Sequence, residues 1–165
     1  MFQTPTIDTA DKAEFYRELA GQVASMIEGE TDPVANAANI SALLFDQMAD
    51  LNWAGFYFLK SPDELVVGPF QGKPACVRIK VGKGVCGSAV ERRASILVED
   101  VDAFPGHIAC DSASRSELVV PLINGDKVLG VLDLDSPSPA RFDTGDQAGI
   151  EAIAALYVAA CEEAV

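Results

Sequence analysis

Residues 76–110 have the sequence CVRIKVGKGVCGSAVERRASILVEDVDAFPGHIAC, and the features of this stretch predict how the rest of the chain is arranged around it. The stretch contains three of the four cysteines, Cys76, Cys86 and Cys110, together with the single histidine, His107. Its clustered glycines indicate tight turns, and its last part has no hydrophobic periodicity. We therefore expect the other elements to form a scaffold that brings these thiols together beside a pocket for a small ligand.

Two helices are predicted before this stretch. Apolar residues recur at helical spacing over residues 8–28 and again over about residues 33–50. Thr9 or Asp8 is expected to cap the first helix, because short polar side chains accept hydrogen bonds from free amides there. Gly29 is expected to end it.

Strand periodicity begins at residue 53. The predicted strands are apolar or aromatic runs bounded by turn signals, at residues 53–59, 65–68, 76–79, 96–98, 118–123 and 128–135. A short helix is predicted over residues 85–92, where glycines bracket Cys86. Residues 99–115 form a long irregular loop, a kind of loop that is often functional. The last helix is expected to begin at Asp143 as its cap.

This order of elements predicts an α+β domain with a mostly antiparallel central sheet and helices packed on it. The length of 165 residues fits one domain covering residues 1–165. Within it, residues 1–50 supply the N-terminal helices. Residues 52–163 supply the sheet, the loops and the C-terminal helix.

The charge of the chain excludes several partners. A net charge of -13 would be repelled by a nucleic-acid backbone and by anionic membrane surfaces. The N-terminus lacks the pattern of a secretory signal, and no apolar run is long enough to span a membrane. We therefore expect a cytoplasmic protein, in which cysteines are more often catalytic, metal-binding or inert than structural bridges.

The three clustered thiols are candidates for nucleophilic or redox chemistry. Cys110 follows His107 by three residues, and Cys86 lies at the start of the predicted short helix, where the helix dipole favours an anion. Cys76 opens or edges a strand. The alternative is that all three are small buried apolar residues, as we expect for Cys161 in the last helix.

A zinc site is a second alternative for these residues. Thiolates and an imidazole suit zinc, but the sequence contains no C-x-x-C or H-x-x-x-H spacing. The sequence therefore predicts neither a metal site nor a cofactor.

Acidic residues end the last predicted strand. Strand alternation places Leu129, Val131, Asp133 and Asp135 on one face, apolar at one end and doubly acidic at the other. Two carboxylates with apolar neighbours suit an ammonium group, or an acid with a raised pKa. The alternative is a solvated strand tip. Glu117 begins the partner strand, and its direction depends on the turn between the two strands.

The sequence is compatible with two lengths for the turn between these strands. With a two-residue loop, Glu117 points away from Asp133. A three-residue loop over residues 124–126 places Glu117 across from Asp133, and a bulge near Pro121 would have the same effect.

Trp53 and Tyr57 form an aromatic pair on one face of the first strand, because they are four residues apart. An indole can hold a methyl-sulfur group or a cation. Alternatively, both side chains are ordinary core aromatics.

Three segments carry a family resemblance: FQGKPACVRIKVGKGVCGSA at 70–89, AFPGHIACDSASRSELVVPL at 103–122 and GVLDLDSP at 130–137. They resemble the free methionine-(R)-sulfoxide reductases, which are stand-alone GAF-domain enzymes. The similarity covers about residues 52–161 and, in outline, the two leading helices. Ordinary GAF domains, which bind cyclic nucleotides or tetrapyrroles, lack these thiols.

The resemblance implies that a cysteine thiolate attacks the sulfur of free methionine-R-sulfoxide and becomes a sulfenic acid. A second cysteine then forms a disulfide, which thioredoxin reduces. On the family pattern Cys110 is the nucleophile, Cys76 the resolving thiol and Cys86 a further candidate for a disulfide with either of them.

The resemblance also implies how the substrate binds. Glu117, Asp133 and Asp135 would hold the ammonium group and protonate or polarise the sulfoxide oxygen, and Trp53 would shelter the S-methyl group. Backbone amides of residues 112–116, with Ser116 at the end, would take the carboxylate. Tyr57 shares the face of Trp53.

Two other classes of protein remain at this point. One is a non-catalytic GAF module that senses a small ligand, and the other is a zinc-binding structural domain. The resemblance also admits a homodimer, because GAF domains often pair through their terminal helices.

Overall fold

The computed structural model describes residues 1–162, which fold into a curled antiparallel sheet with helices on both sides. Residues 163–165, which the predicted ranges 1–165 and 52–163 include in whole or in part, lie outside the described residues. The helices are α1 (Lys12–Ile27), α2 (Pro33–Gln47), α3 (Gly84–Arg92) and α4 (Thr144–Glu162). The strands are β1 (Trp53–Ser61), β2 (Glu64–Gly72), β3 (Arg78–Lys80), β4 (Ile96–Val98), β5 (Ser116–Asn124) and β6 (Lys127–Ser136).

The sheet has the order β3-β2-β1-β6-β5-β4, and each neighbouring pair is antiparallel. The predicted α+β class is therefore confirmed. In the described part of the chain, no helix is long and apolar enough to cross a membrane.

The sheet separates two apolar clusters. Helices α1, α2 and α4 cover one face, where Phe56, Leu118 and Leu132 belong to the larger cluster. The opposite face carries Trp53, Tyr57, Val119 and Val131, which pack with α3 and the long loops. Alternation along each strand therefore separates a structural core from a second side that is free to build a site.

Capping residues predicted some of the helix ends correctly and one of them wrongly. The side chain of Asp32 accepts bonds from two amides at the start of α2, and Gly29, with φ of 75°, follows α1 as predicted. The predicted cap of α1 is wrong. Asp11 caps α1 by accepting from the amide of Glu14 at 3.1 Å, while Thr9 instead accepts from the amide of Asp11 at 3.2 Å.

Strand β3 begins at Arg78, not at Cys76 as predicted. Strand β2 continues to Gly72, beyond the predicted end at residue 68. Residues 73–77 therefore form a short irregular segment that carries Cys76 past the end of β2. This segment covers one side of the cavity described below.

The β5–β6 hairpin has a two-residue turn at Gly125 and Asp126, followed by a bulge at Leu129. The bulge is not near Pro121, which pairs regularly with Val131. Beyond the bulge, Glu117 lies directly across from Asp135, and Val119 lies across from Asp133.

The bulge also corrects the predicted face of the strand. Leu129 packs with the helix-side cluster, whereas Val131 belongs to the cluster on the other face. The extra residue therefore brings Glu117, Asp133 and Asp135 to one side of the sheet. The turn is the predicted two-residue loop, and a bulge has the predicted effect on Glu117, although it lies at Leu129 and not near Pro121.

Candidate functional site

A cavity lies between the sheet face, the start of α3 and two irregular segments, residues 73–77 and 99–115. The space between its lining atoms amounts to about 520 Å³, which includes open solvent at the mouth. Seven of the nine sequence-predicted site residues line it: Trp53, Tyr57, Cys86, Cys110, Glu117, Asp133 and Asp135.

Two of the predicted cysteines are joined in the structure. A disulfide links Cys76 to Cys110, with the two Cα atoms 5.6 Å apart and a sequence separation of 34. Cys110 is exposed and Cys76 half-buried, so the bond lies at the cavity mouth, within reach of a reductant. The expectation that distant thiols meet at one cavity therefore holds for this pair.

Cys86 is a free, buried thiol at the base of the same cavity. Its Sγ donates to Asp133 Oδ2 at 3.4 Å. The α3 dipole was expected to favour the thiolate of Cys86. Instead, burial, together with Asp133, Glu117 and Asp135, raises the pKa of this thiol well above its ordinary value. Cys86 is therefore a neutral hydrogen-bond donor.

The three carboxyl groups form an acidic wall in which two are buried and Asp135 is half-buried. Glu117 and Asp133 are each only 5% exposed. Burial, and then the negative charge of a neighbouring carboxylate, raises the pKa of Glu117, Asp133 and Asp135 well above the ordinary range. The cavity therefore contains carboxyl groups that can hold a proton near neutral pH.

One atom of this wall has no internal partner. Within residues 1–162, Asp133 Oδ1 is buried and makes no hydrogen bond. A buried unpaired oxygen is costly, so its position beside the cavity indicates a place for a polar ligand.

His107 connects the loop of Cys110 to the acidic wall. Its Nε2 lies 3.2 Å from Glu117 Oε2, and both side chains are largely buried. Burial lowers the pKa of His107, which favours the neutral imidazole. The structure therefore pairs the single histidine of the sequence with Glu117.

Aromatic rings on β1 lie beside the acids on the same face of the sheet, where Trp53 pairs with Asp135 of β6. Trp53 stacks on Tyr57 with ring centroids 5.8 Å apart and on Phe70 at 5.1 Å. Trp53 Nε1 donates to the carbonyl of Lys73 at 3.2 Å, and the Tyr57 hydroxyl donates to the carbonyl of Cys76 at 3.0 Å. The two aromatics therefore also hold the segment that carries Cys76.

The structure places Ser116 away from the cavity, which corrects its predicted role. Strand alternation turns it to the helix side, where its hydroxyl donates to the carbonyl of Ser138 at 2.7 Å. Ser114, two residues earlier, lines the cavity instead. Asn52 donates to the Ser114 hydroxyl at 3.0 Å and to Asp111 Oδ2 at 3.1 Å.

Sequence reasoning missed Asn52, Asp111 and Ser114 because the contacts that give them a role join residues about 60 positions apart. The available signal was the position of Asn52 immediately before a strand whose next residue, Trp53, was already a candidate.

Comparisons with known proteins agree with this arrangement. The family model described as "GAF domain" matches residues 35–162. "Protein YtsP" of Bacillus subtilis is 54% identical over 140 residues, covering 84% of this chain and 86% of that protein. "Free methionine-R-sulfoxide reductase" of Escherichia coli is 51% identical over 145 residues, covering 88% of this chain and 87% of that protein.

A solved structure is similar over the whole chain. It is the free methionine-R-sulfoxide reductase from Neisseria meningitidis in complex with its substrate, with a TM-score of 0.93 and 44% identity. The match covers 100% of both chains.

Proposed function

The chain belongs to the GAF-domain family and within it to the free methionine-R-sulfoxide reductases, and from this premise we propose that it reduces free L-methionine-(R)-sulfoxide to methionine. One observation carries the proposal: the Cys76–Cys110 disulfide lies at the mouth of a cavity whose inner wall holds two buried carboxyl groups, of Glu117 and Asp133, and the half-buried Asp135. The first feature suits a two-electron thiol cycle, and the second suits binding and protonation of a polar substrate.

In the first step the Cys110 thiolate attacks the sulfoxide sulfur. One of the three carboxyl groups gives a proton to the sulfoxide oxygen, and that oxygen passes to Cys110 as its sulfenic acid. The substrate gains two electrons and leaves as methionine, while the Cys110 sulfur loses two.

In the second step Cys76 acts as the resolving thiol. Its sulfur bonds to Cys110, and the sulfenic oxygen leaves as water, which gives the disulfide seen here. A thioredoxin dithiol then reduces this bond and supplies the two electrons of the cycle. We place the reaction in the cytoplasm, where such reductants keep thiols reduced.

The cavity suits a free amino acid. The proposed contacts are the ammonium group with Asp133 and Asp135, the S-methyl group with Trp53 and Tyr57, and the substrate carboxylate with backbone amides of residues 112–116. A pocket that grips both ends of the substrate excludes a methionine sulfoxide within a peptide. In this scheme Cys86 holds Asp133 in place, and its role as a third redox thiol stays a prediction.

The deciding assay is thioredoxin-coupled NADPH oxidation with the R and S epimers of free methionine sulfoxide supplied separately. We expect turnover of the R epimer and little of the S epimer, because the acidic and aromatic walls fix one orientation at sulfur. Equal turnover of both epimers, or none with R, would contradict the proposal.

The roles of the thiols are tested by single-turnover methionine release from the reduced protein. Cys110→Ser should abolish release, because no nucleophile remains. Cys76→Ser should release about one equivalent and then stop, because the sulfenic acid is not resolved. Cys161→Ser, which removes the half-buried thiol on α4, is the matched control and should behave like the unaltered protein.

A further inference from the structure

Three potential metal ligands from three separate elements meet at the base of the cavity. Ligand atoms of Cys86 on α3, Glu117 on β5 and Asp133 on β6 all lie within 4.8 Å of one another. His107, on the loop of residues 99–115, lies next to this group, with its Nε2 3.2 Å from Glu117 Oε2. A set of one thiol and two carboxylates suits zinc with a fourth, open position, unlike the all-oxygen sets that magnesium and calcium prefer.

One separation within this group is that of a tetrahedral zinc site. With Zn–S of about 2.3 Å and Zn–O of about 2.0 Å, a tetrahedral ion separates S from O by about 3.5 Å. Cys86 Sγ lies 3.4 Å from Asp133 Oδ2. This hydrogen bond can therefore be replaced by two metal bonds with little movement, while His107 orients the third ligand, Glu117.

A second observation points to a ligand at the same place. Asp133 is 5% exposed, lines the cavity and has, in the described residues, an Oδ1 atom without a partner. A divalent cation would also offset the negative charge that ionised ligands bring into a buried site.

We propose that Cys86, Glu117 and Asp133 form a zinc-binding site, with His107 orienting Glu117, and that zinc bound there excludes the substrate. On binding, the thiol and carboxyl protons leave to water and three metal bonds to the protein form, without a redox change. Exclusion follows because the proposed ammonium contact also needs Asp133, and this second part rests on the proposed function. Zinc at this site would therefore stop turnover reversibly.

The disulfide form allows a clean test, because Cys76 and Cys110 are then joined to each other and lack free thiols. Co²⁺ is titrated into this form as a spectroscopic substitute for zinc. We expect four-coordinate visible bands and a near-ultraviolet charge-transfer band, which requires a thiolate ligand. Zn²⁺ should then displace the cobalt and remove both signals.

Three variants separate the ligands from other thiols. Cys86→Ser should remove the charge-transfer band. His107→Gln removes the imidazole that orients Glu117 and should weaken cobalt binding by about 10-fold to 100-fold. Cys161→Ser should leave the spectrum unchanged. A charge-transfer band that persists in Cys86→Ser, or the absence of any band in the unaltered disulfide form, would overturn the site.

Competition distinguishes this proposal from the reductase proposal. In a Cys76→Ser/Cys110→Ser variant, which cannot turn over, free methionine-R-sulfoxide should displace cobalt. If cobalt binds through Cys86 but the sulfoxide does not displace it, the shared-site part is overturned while the metal site stands. If no metal binds, the reduction assay remains a separate question with its own answer.

Discussion

At the scale of single residues, Glu117 combines burial with a hydrogen-bonding partner that reaches the cavity edge. Its carboxyl group is paired with His107 and its pKa is raised, mainly by burial. A buried acid with such a partner can donate a proton and then be reprotonated from solvent through that partner. We therefore expect Glu117 to be the acid that protonates the sulfoxide oxygen.

The pH dependence of methionine release tests this role. A general acid must be protonated, so the single-turnover rate should fall as pH rises through the raised pKa of Glu117. Glu117→Gln should slow release by about 100-fold and remove this alkaline fall, because the amide does not titrate. Glu99→Gln, at an exposed position, is the control and should retain both rate and profile.

Asp133 shows the cost that the acidic wall imposes on stability. Because its pKa is raised on folding, the contribution of Asp133 to stability is fully present below the unfolded pKa of about 3.9. That contribution is lost as pH rises through the folded pKa.

Asp133→Asn removes this loss. Its free energy of unfolding, measured with urea, should exceed that of the unaltered protein by about 1–2 kcal/mol at pH 8 and by little at about pH 4, close to the unfolded pKa, although activity falls. Asp126→Asn, in the exposed hairpin turn, makes the same charge change without burial. An equal gain in both variants would show that net charge, and not the buried site, is responsible.

At the scale of elements, α1 and α4 are fastened together away from the cavity. The Tyr16 ring lies against Gly149, and its hydroxyl donates to the buried Asp146 Oδ1 at 2.7 Å. Lys12 Nζ donates to Asp146 Oδ2 at 2.8 Å. A Cβ at residue 149 would overlap the Tyr16 ring.

Two glycine-to-alanine changes compare this contact with an open helix surface. Gly149→Ala should lower the free energy of unfolding by about 1–3 kcal/mol, because Tyr16 must move. Gly21→Ala on α1 has no atom within 4 Å of the added Cβ and should raise it by about 0.5–1 kcal/mol through helix propensity. Both free energies come from denaturant unfolding, and the same sign in both variants would contradict the packing argument.

Elements with strong local signals were predictable from the sequence. Pro33 fixes the start of α2, and the apolar runs at 118–123 and 128–135 around a turn signal mark the last hairpin. The conformation of residues 73–77 could not be predicted, because it depends on hydrogen bonds that Trp53 and Tyr57 of β1 donate to carbonyls in this segment. The site could be predicted as a group of thiols and acids, but not the Cys86 contact with Asp133, which joins segments 47 residues apart.

At the scale of the whole molecule, the disulfide joins two irregular segments that flank the cavity. A cross-link that closes a loop of 34 residues stabilises a fold by about 3–4 kcal/mol, chiefly by restricting the unfolded chain. The redox cycle should therefore alternate between a more stable oxidised form and a less stable reduced form.

Unfolding in denaturant with and without a reductant measures this difference. We expect the oxidised form to exceed the reduced form by about 3–4 kcal/mol and Cys76→Ser to show no redox dependence. Cys161→Ser should retain the full difference. A Cys76→Ser variant that remains sensitive to reductant would mean that another bond, and not the one between Cys76 and Cys110, carries the effect.

The bulge at Leu129 makes the site depend on the number of residues in β6. Deleting one residue there would reverse the alternation of the side chains that follow and turn Asp133 and Asp135 toward the apolar core beneath α2 and α4. Substituting the side chain at residue 129 leaves the alternation of β6 unchanged, whereas deleting the residue reverses it. The number of residues at this position, more than their chemical identity, therefore decides whether the acidic side chains face the cavity.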